Sequence, residues 1–311
     1  MPYYLGIDGG GTKTACAVGD EARLFATVIT GPSNIVRVGE SRTRESLEQA
    51  VRQACAAAGI APADVARTCI GGSGAAHPEL AEKVRRILAA ILPSPIDVVG
   101  DMQIALEAAF CAGPGVIVIA GTGSIAYGRD SNGNAARAGG WGFAIGDEGS
   151  AHWIGRAAVH AVLRASDRNA GARETPAWQD STLAAALLKA WSVASLADLA
   201  RAANAIPPPN FAALFPAVAA SGDNLATQIL TLAGTELAQV AAVVTGRLFP
   251  VDEVKTVPVA MTGGVFRHAP LVRQVFYNEL RQLDSRVEVN PQVIEPVEGA
   301  LRLARRAAQH S

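Results

Sequence analysis

Two short segments of this 311-residue chain place glycines and a threonine directly after an apolar run. Asp8-Gly9-Gly10-Gly11-Thr12-Lys13 follows residues 3–7, and Gly121-Thr122-Gly123-Ser124 follows residues 116–120. Glycines allow backbone N–H groups to approach a phosphate closely, and threonine adds a hydroxyl donor. Each segment alone could be an ordinary hairpin turn, but the matched pair predicts two turns that clamp a polyphosphate. No P-loop is indicated, because the pattern GxxxxGK[ST] is absent, and no dinucleotide fingerprint is indicated, because a strand and not a helix follows the glycines.

Two aspartates follow predicted strands and could carry charge-based chemistry. Asp8 cannot usefully bind phosphate, because like charges repel, but it could hold Mg²⁺, mostly through water. Asp101 follows Val98-Val99-Gly100 and opens a predicted helix. A carboxylate there could accept the proton of an attacking hydroxyl. The simpler alternative for Asp101 is a helix N-cap, a position that aspartate fills well.

Two further segments combine glycines with features that suit a ligand. Residues 139–150 contain five glycines, Trp141 and the acidic pair Asp147-Glu148. Ionised carboxylates accept hydrogen bonds from sugar hydroxyls, so this segment favours a polyhydroxylated ligand, with a helix cap at Asp147 as the alternative. Thr262-Gly263-Gly264 follows another apolar run. A Gly-Gly pair lets a flat ring lie against the backbone, which alone is a weak indication.

The elements that must position these residues follow from hydrophobic periodicity. Short apolar runs predict strands at 3–7, 14–18, 24–30, 65–70, 96–99, 116–120, 124–128 and 257–261. Helical periodicity predicts helices at 42–58, 78–92, 102–111, 148–165, 182–205 (one or two helices), 224–248 and 298–309. Asn132-Gly133 is typical of a hairpin turn.

Gly113-Pro114-Gly115 is the predicted boundary between two domains, because the pattern of strand, Gly/Thr turn and strand begins again after it. We predict an N-terminal domain at 1–113. Residues 114–311 would form a C-terminal domain with a helical insertion, and the last helix could pack back on the first domain. A length of 311 residues agrees with about two domains.

The composition excludes several classes of protein. Hydrophobic residues make up 50% and charged residues 18%, which is enough apolar material for a large core and excludes global disorder. A formal net charge of -1 does not supply the basic field of a nucleic-acid binder. The four cysteines form no CxxC pair and are expected to be buried thiols of a reducing compartment. No signal peptide or membrane helix is indicated, so we expect a cytoplasmic protein.

Taken in order along the chain, these segments resemble the N-acetylglucosamine kinase family of the hexokinase–actin–chaperone ATPase superfamily. Residues 8–14 are similar to the first phosphate loop, 120–124 to the second, and 262–265 to the adenosine loop. Gly146-Asp147-Glu148-Gly149-Ser150-Ala151 is the most family-specific stretch. The resemblance implies two ribonuclease-H-like α/β domains around a cleft that binds an amino sugar, ATP and Mg²⁺, and commonly a homodimer.

The resemblance also implies roles for individual residues. Asp101 would be the general base that activates the C6 hydroxyl of the sugar. Nucleotide contacts would come from Asp8 (through Mg²⁺), Gly10, Gly11, Thr12, Lys13, Gly121, Thr122, Gly123, Gly263 and Gly264, with Gly234 and Ala233 beside the adenine. Sugar contacts would come from Asn34, Asp101, Ser124, Gly140, Trp141, Gly142 and Asp147. Asn34 by itself reads as an ordinary loop residue.

Three alternatives stay open. After Asn34 the chain has Ile35-Val36-Arg37, where related enzymes carry aromatic character. The substrate could therefore be free glucosamine or another hexosamine.

An ATP-driven activator of an iron–sulfur dehydratase would share the fold, but it needs exposed cysteine ligands. A sugar-responsive repressor would need an added DNA-binding helix-turn-helix, for which residues before the first strand leave no room.

Overall fold

The computed structural model describes residues 2–72, 77–169 and 181–309. The fold is α/β, with two five-stranded sheets. Contacts divide the chain into two compact units. Unit 1 comprises Met1–Pro114 and Ile294–Ser311, and unit 2 comprises Gly115–Val293.

The strands in chain order are β1 (Tyr3–Gly9), β2 (Thr14–Gly19), β3 (Leu24–Thr30), β4 (Val65–Gly72), β5 (Ile96–Gly100), β6 (Gly115–Ala120), β7 (Ser124–Arg129), β8 (Ala135–Gly139), β9 (Val257–Thr262) and β10 (Val287–Ile294). The α-helices are α1 (Ile35–Ala58), α2 (Pro78–Ala89), α3 (Asp101–Phe110), α4 (Ala151–Asn169), α5 (Thr182–Ala190), α6 (Leu196–Ala203), α7 (Phe215–Ala220), α8 (Asn224–Leu248), α9 (Gly264–His268), α10 (Pro270–Leu283) and α11 (Pro296–Gln309). Short 3-10 turns lie at Pro62–Asp64 and Phe211–Leu214.

The sheet of unit 1 has the strand order β3-β2-β1-β4-β5. β2 is antiparallel to β1 and β3, whereas β4 is parallel to β1 and β5. Side chains alternate between the two faces of the sheet. Leu5 and Ile7 join the apolar cluster that includes α1, whereas Tyr4 joins the one that includes α3 and α11. Gly6 allows α11 to lie directly on β1, because a Cβ there would overlap the backbone of Leu301.

The sheet of unit 2 has the order β10-β9-β6-β7-β8, which repeats the order of unit 1. β6 is antiparallel to β7 and parallel to β9, as β1 is to β2 and β4. β10 was not among the strands expected from the sequence. It contains Asn290-Pro291, a pair typical of turns, and six of its eight residues are only partly buried or exposed.

Two helices begin at different residues from those expected. α1 begins at Ile35 rather than Arg42, and Gly39 interrupts it with a φ of 77°. Glycine adopts this left-handed conformation without steric cost, so the regular apolar periodicity starts only after the kink. α4 begins at Ala151 rather than Glu148, because Asp147 and Gly149 have φ values of 60° and 75°.

α8 is the one described helix that is long and apolar enough to cross a membrane by length and composition alone. Half of its most apolar window is buried within the protein, and core helices of this kind pass the same test. In the fold it packs on α10, β7 and β8.

Candidate functional site

Three parallel strands of unit 1 end side by side. In the register of the sheet, Asp8 lies opposite Gly71, and Gly72 lies opposite Gly100. Asp101 follows Gly100 as the first residue of α3. The carboxyl ends of parallel strands meet at one edge of a sheet, so the fold brings Asp8 and Asp101 to the same edge. The glycine pair at the end of β4 lies between them.

The environment of Asp8 opposes its negative charge. Burial raises its pKa to about 7, and the charges of Asp101 and Glu295 contribute in the same direction. Lys13 acts in the opposite sense. A cation placed at Asp8 would favour the ionised carboxylate and so lower its pKa.

The donor chemistry at Asp8 fits Mg²⁺. This ion prefers oxygen ligands and commonly keeps several waters while using one or two carboxylates and substrate phosphates. Within the described ranges there is no group of three His, Cys, Asp or Glu side chains that could enclose a metal. A magnesium ion at this edge would therefore be held by Asp8, water and phosphate oxygens, not by a protein cage.

Asp101 is the first residue of α3, and its own backbone helps to set its protonation. Burial raises its pKa, and hydrogen bonds from backbone N–H groups partly offset the effect. The N–H of Met102 donates to Asp101 Oδ1 at 2.9 Å. The N-cap position expected for Asp101 belongs instead to Gly100. Asp101 is thus a half-buried carboxylate with a fixed Oδ1 at the edge of the sheet.

The first glycine turn joins β1 to β2 and is tied to the loop that follows β3. Gly10 N–H donates to the carbonyl of Lys13 at 3.0 Å. The carbonyl of Gly10 accepts from the N–H groups of Ser33 and Asn34 at 3.1 and 3.2 Å. Thr12 and Lys13 are exposed. The turn is therefore fixed at its base and accessible at its tip, as a phosphate-binding turn must be.

Asn34 is the N-cap of α1. Its Oδ1 accepts from Val36 N–H at 3.1 Å and from Arg37 N–H at 3.3 Å. Because its backbone N–H is bound to Gly10, Asn34 is held beside the first glycine turn. The cap engages Oδ1, which leaves the Nδ2 end of the amide as the donor available to a ligand.

In unit 2, the turn after β6 and the turn after β9 are neighbours. Ile119 lies opposite Thr262, and Gly263 has a φ of 107°, with a Cβ position that would overlap the backbone of Ala120. Among the residues that the structure describes, nothing lies within 4 Å of a Cβ built on Gly121 or Gly264. The two turns therefore combine close backbone packing with open space above Gly121 and Gly264.

The carbonyl groups of the second glycine turn are held by the start of α4. Gly121 accepts from Ala151 N–H at 2.9 Å, and Thr122 accepts from His152 N–H at 3.3 Å. Gly121 N–H donates to the carbonyl of Gly123 at 2.9 Å. These bonds fix the turn relative to the segment that contains Asp147.

Asp147 contacts the second glycine turn directly. A Cβ on Gly123 would lie 2.6 Å from Asp147 Oδ2, so any side chain at position 123 would displace the Asp147 carboxylate. Asp147 Oδ1 accepts from Gly142 N–H at 3.1 Å, and Ser124 Oγ donates to the carbonyl of Glu148 at 2.6 Å. Burial raises the pKa of Asp147, partly offset by the Gly142 N–H. The structure thus brings together four residues that the sequence predicted separately.

Trp141 lies in the glycine-rich loop beside this cluster and is 68% exposed. The guanidinium of Arg137 stacks 5.0 Å from its ring centroid. Phe143 and Ile145 in the same loop are also exposed. An exposed indole held by a cation is available to pack on the apolar face of a ligand.

Gly234 has a clear packing role. It is buried in α8, and a Cβ there would lie 2.7 Å from Val275 Cβ and 2.9 Å from the carbonyl of Val272 in α10. Ala233 is also buried. A contact of either residue with adenine stays a prediction, and close helix packing is sufficient reason for glycine at 234.

Sequence reasoning missed two features of unit 1. Glu295, which affects the pKa of Asp8, is far from it in sequence and carries no motif. A pocket beside Asn34, part of whose wall is α2, was also missed. α2 reads as an ordinary amphipathic helix, so no local signal indicates that its apolar face borders a site.

The repeated strand order, with a glycine turn after the first strand of each sheet, defines the class: an actin-like α/β fold of the hexokinase type. The chain belongs to the BadF/BadG/BcrA/BcrD ATPase family, whose model matches residues 5–304.

A curated relative is the N-acetylmuramic acid/N-acetylglucosamine kinase of Clostridium acetobutylicum, 36% identical over 170 residues. The match covers 54% of this chain and 56% of that protein, so the chain spans about half the length of this relative.

Solved structures are similar over nearly the whole chain. A Chromobacterium violaceum protein provisionally assigned as an N-acetylglucosamine kinase has a TM-score of 0.75 and 28% identity, with 98% of this chain and 99% of that chain covered. The ROK family glucokinase of Streptomyces griseus, in complex with glucose and AMPPNP, has a TM-score of 0.62 and 17% identity, with coverage of 98% and 99%. The second likeness supports the fold alone.

Proposed function

We propose that this protein is an ATP-dependent amino-sugar kinase that phosphorylates the C6 hydroxyl of N-acetylglucosamine. The observation that carries the proposal is the edge of the unit 1 sheet, where the half-buried carboxylate of Asp101 follows β5 and Asp8 lies on β1, two strands away. This is the pair needed for phosphoryl transfer to a hydroxyl: one group for the proton and one for a metal. The relatives named above agree with this class of reaction.

Asp101 would accept the proton of the C6 hydroxyl as its oxygen attacks the γ-phosphorus. Because Met102 N–H is bound to Oδ1, Oδ2 is the atom that would take the proton. The raised pKa of Asp101 suits a general base better than the pKa of an exposed aspartate would, since the ideal catalytic pKa lies near the working pH.

In unit 2, Ser124, Gly140, Trp141, Gly142 and Asp147 would bind and orient the sugar. Asp147 is ordered by Gly142 N–H before any ligand binds, so little reorganisation is needed. Its carboxylate would accept hydrogen bonds from sugar hydroxyls, and the exposed Trp141 ring would pack on the apolar face of the pyranose.

The glycine turns would hold the nucleotide. The N–H groups of Gly10 and Gly121 close their own turns, so those of Gly11, Thr12, Thr122 and Gly123, together with the Lys13 ammonium, would stabilise negative charge on the phosphates. Gly263 and Gly264 would border the adenosine. When bound at Asp8, Mg²⁺ would neutralise charge on the phosphate oxygens. The proposal includes a homodimer, for which light scattering of the purified protein is the test.

The test is release of ADP with ATP, Mg²⁺ and a panel of N-acetylglucosamine, glucosamine, N-acetylmannosamine and glucose. Asp101→Asn keeps the size and removes the base, so kcat should fall about 10²- to 10⁴-fold. Asp97→Asn is the matched control, because Asp97 lies on β5 but pairs with Arg67 at 2.8 Å. Phosphorylated product should carry its phosphate on O6. Equal activity of the two variants would contradict the role of Asp101.

The iron–sulfur activator makes a different demand on cysteines. The expectation that all four cysteines are buried is wrong for Cys111, which is exposed. Cys16, Cys55 and Cys69 are buried, and burial raises the pKa of these three thiols. Such thiols are poor cluster ligands at a solvent-reaching site. If no hexose is turned over and the anaerobically purified protein contains iron, the activator replaces the kinase.

A further inference from the structure

Aromatic side chains of unit 2 form a continuous stack that begins in the glycine-rich loop of Trp141. The ring centroid of His152 lies 4.9 Å from that of Phe143 and 5.3 Å from that of Phe211. Phe211 in turn lies 5.2 Å from Trp191. Aromatic rings attract each other at these separations. His152 therefore connects Phe143, in the loop, to side chains that pack in the core of unit 2.

His152 is fixed in place by its burial and by its backbone. It is the second residue of α4, and only 7% of its surface is exposed. Its backbone N–H donates to the carbonyl of Thr122 in the second glycine turn at 3.3 Å. A substitution of the side chain leaves this backbone hydrogen bond in place, so the role of the ring can be tested separately from that of the backbone.

The side of the His152 ring that faces Phe211 has a close-packed support. Phe211 opens the 3-10 turn Phe211–Leu214, and a Cβ on Gly155 of α4 would overlap the carbonyl of Phe211. The turn therefore packs directly on α4. Trp191, at the end of α5, packs on the other side of Phe211. The helical insertion that contains α5 and this turn thus supports the ring of His152.

Phe143 lacks comparable burial, since 51% of its surface is exposed. It belongs to a closed turn at residues 142–147. Gly142 N–H donates to Asp147 Oδ1 at 3.1 Å, and Gly146 N–H donates to the carbonyl of Gly142 at 2.9 Å. Because these bonds join the two ends of the turn, a contact that holds Phe143 also holds Gly142 and Asp147.

We propose that His152 is a positioning residue for the sugar: its ring holds Phe143, and with it residues 142–147, in the arrangement that binds the substrate. This role rests on the proposed function, in which Gly142 and Asp147 contact the sugar. His152 acts through Phe143 and does not itself contact the substrate. Without the ring, the turn would keep its internal hydrogen bonds but lose its contact with α4, and the sugar would have to order it on binding.

His152→Leu and Phe143→Leu each keep an apolar side chain and remove one flat ring. Loss of one aromatic contact should raise the KM for N-acetylglucosamine roughly 2- to 10-fold. The KM for ATP should be unchanged, because Thr122 keeps its hydrogen bond. The double variant should be no worse than the larger single one, since both substitutions break the same contact. Fully additive losses would overturn the inference.

His152→Phe is the conservative variant, because phenylalanine can stack on both neighbouring rings. It should bring the KM for the sugar back to within about twofold of the wild type. A loss equal to that of His152→Leu would contradict the role of the ring. A purely structural role would lower the melting temperature and the active fraction and leave this KM unchanged. Val251→Ala, at an exposed apolar position of the same unit, controls for truncation.

Hydrogen exchange of the protein without ligands supplies a readout besides turnover. Residues 139–147 should exchange faster in His152→Leu than in the wild type or His152→Phe, with β9 equally protected in all three. Unchanged exchange at residues 139–147 in His152→Leu would overturn the positioning role and leave the kinase standing. Wild-type protein that uses no hexose would overturn the proposed function, and faster exchange in His152→Leu would then still show that His152 holds the turn.

Discussion

Asp8 occupies a position where burial and neighbouring charge oppose its ionised form. Its pKa is about 7 in the folded protein, against 3.8 as the ordinary value. The folded state therefore binds a proton that the unfolded state releases between these two pH values. Since the folded state binds more protons there, the free energy of unfolding falls as pH rises through this window. Above about pH 7, Asp8 is ionised in both states, and the free energy of unfolding is lower by a few kcal/mol at most.

Asp8→Asn removes this cost. The variant should be more stable than the wild type at pH 8 and similar to it near pH 4, as measured by thermal unfolding across pH without nucleotide. Mg²⁺ should raise the melting temperature of the wild type at pH 8 and have no such effect on the variant, because the proposed role of the carboxylate is to bind the ion. Glu21→Gln, an exposed position, controls for the change in net charge. Equal pH profiles for Asp8→Asn and the wild type would refute the assignment.

At the level of residues, the glycine turns and Asp101 could be predicted because their signals are local: a run of residues and the strand before it. The contact of Asp147 with Gly123 could not be predicted, since it depends on how residues 139–150 fold back on β7. The orientation of the Asn34 side-chain amide, with Oδ1 in the helix cap and Nδ2 as the donor, could not be predicted either. It follows from a helix start that the sequence pattern placed seven residues too late.

At the level of elements, α8 carries two glycines in opposite environments. Gly234 faces α10, where a Cβ would lie 2.7 Å from Val275 Cβ. Gly246 is on the same helix, and nothing among the described residues lies within 4 Å of a Cβ built there. Gly234 is thus required by the close packing of α8 on α10, whereas Gly246 has no packing role among the described residues and only lowers the helix propensity of α8.

Alanine should therefore have opposite effects at the two positions. Gly234→Ala should lower the free energy of unfolding by about 1–3 kcal/mol, because α10 must shift. Gly246→Ala should raise it by up to about 1 kcal/mol, because alanine has the higher helix propensity. Denaturant titration measures both. The adenine contact predicted for Gly234 is tested by measuring the KM for ATP. This KM should be unchanged in Gly246→Ala. A stabilising Gly234→Ala would contradict the helix contact.

At the level of the whole molecule, the duplicated pattern of strand, glycine turn and strand predicted two related α/β halves, and both sheets have the same strand order. Hydrophobic periodicity is sufficient for this, because most strands in the sheets are short, apolar and followed by turns. β10 was not predicted because Asn290-Pro291 interrupts its apolar residues and it pairs at an outer position of the sheet. The pocket beside Asn34 was not predicted because its walls come from α1, α2 and three strands that are far apart in sequence.

Unit 1 is built from both ends of the chain, with the segment Gly115–Val293 forming unit 2. α11 is held on α3 by Arg306, which donates to both carboxylate oxygens of the buried Glu107 at 3.0 Å, and by Arg302, which donates to the carbonyl of Ala108 at 2.9 Å. Breaking a buried ion pair on one side leaves an uncompensated charge. α11 also covers β1, the strand that carries Asp8.

Arg306→Met should therefore destabilise unit 1 and leave the stability of unit 2 unchanged. Hydrogen exchange followed by mass spectrometry should show faster exchange in β1, α3 and α11, with β6 and β7 of unit 2 as protected as in the wild type, because their core does not include α11. Arg201→Met is the control, since its ion pair with Asp198 is exposed on the arginine side and lies in unit 2. A uniform increase across both sheets would mean that the units unfold as one cooperative block. Faster exchange confined to unit 1 would mean that the C-terminal helix stabilises the edge that holds the two aspartates.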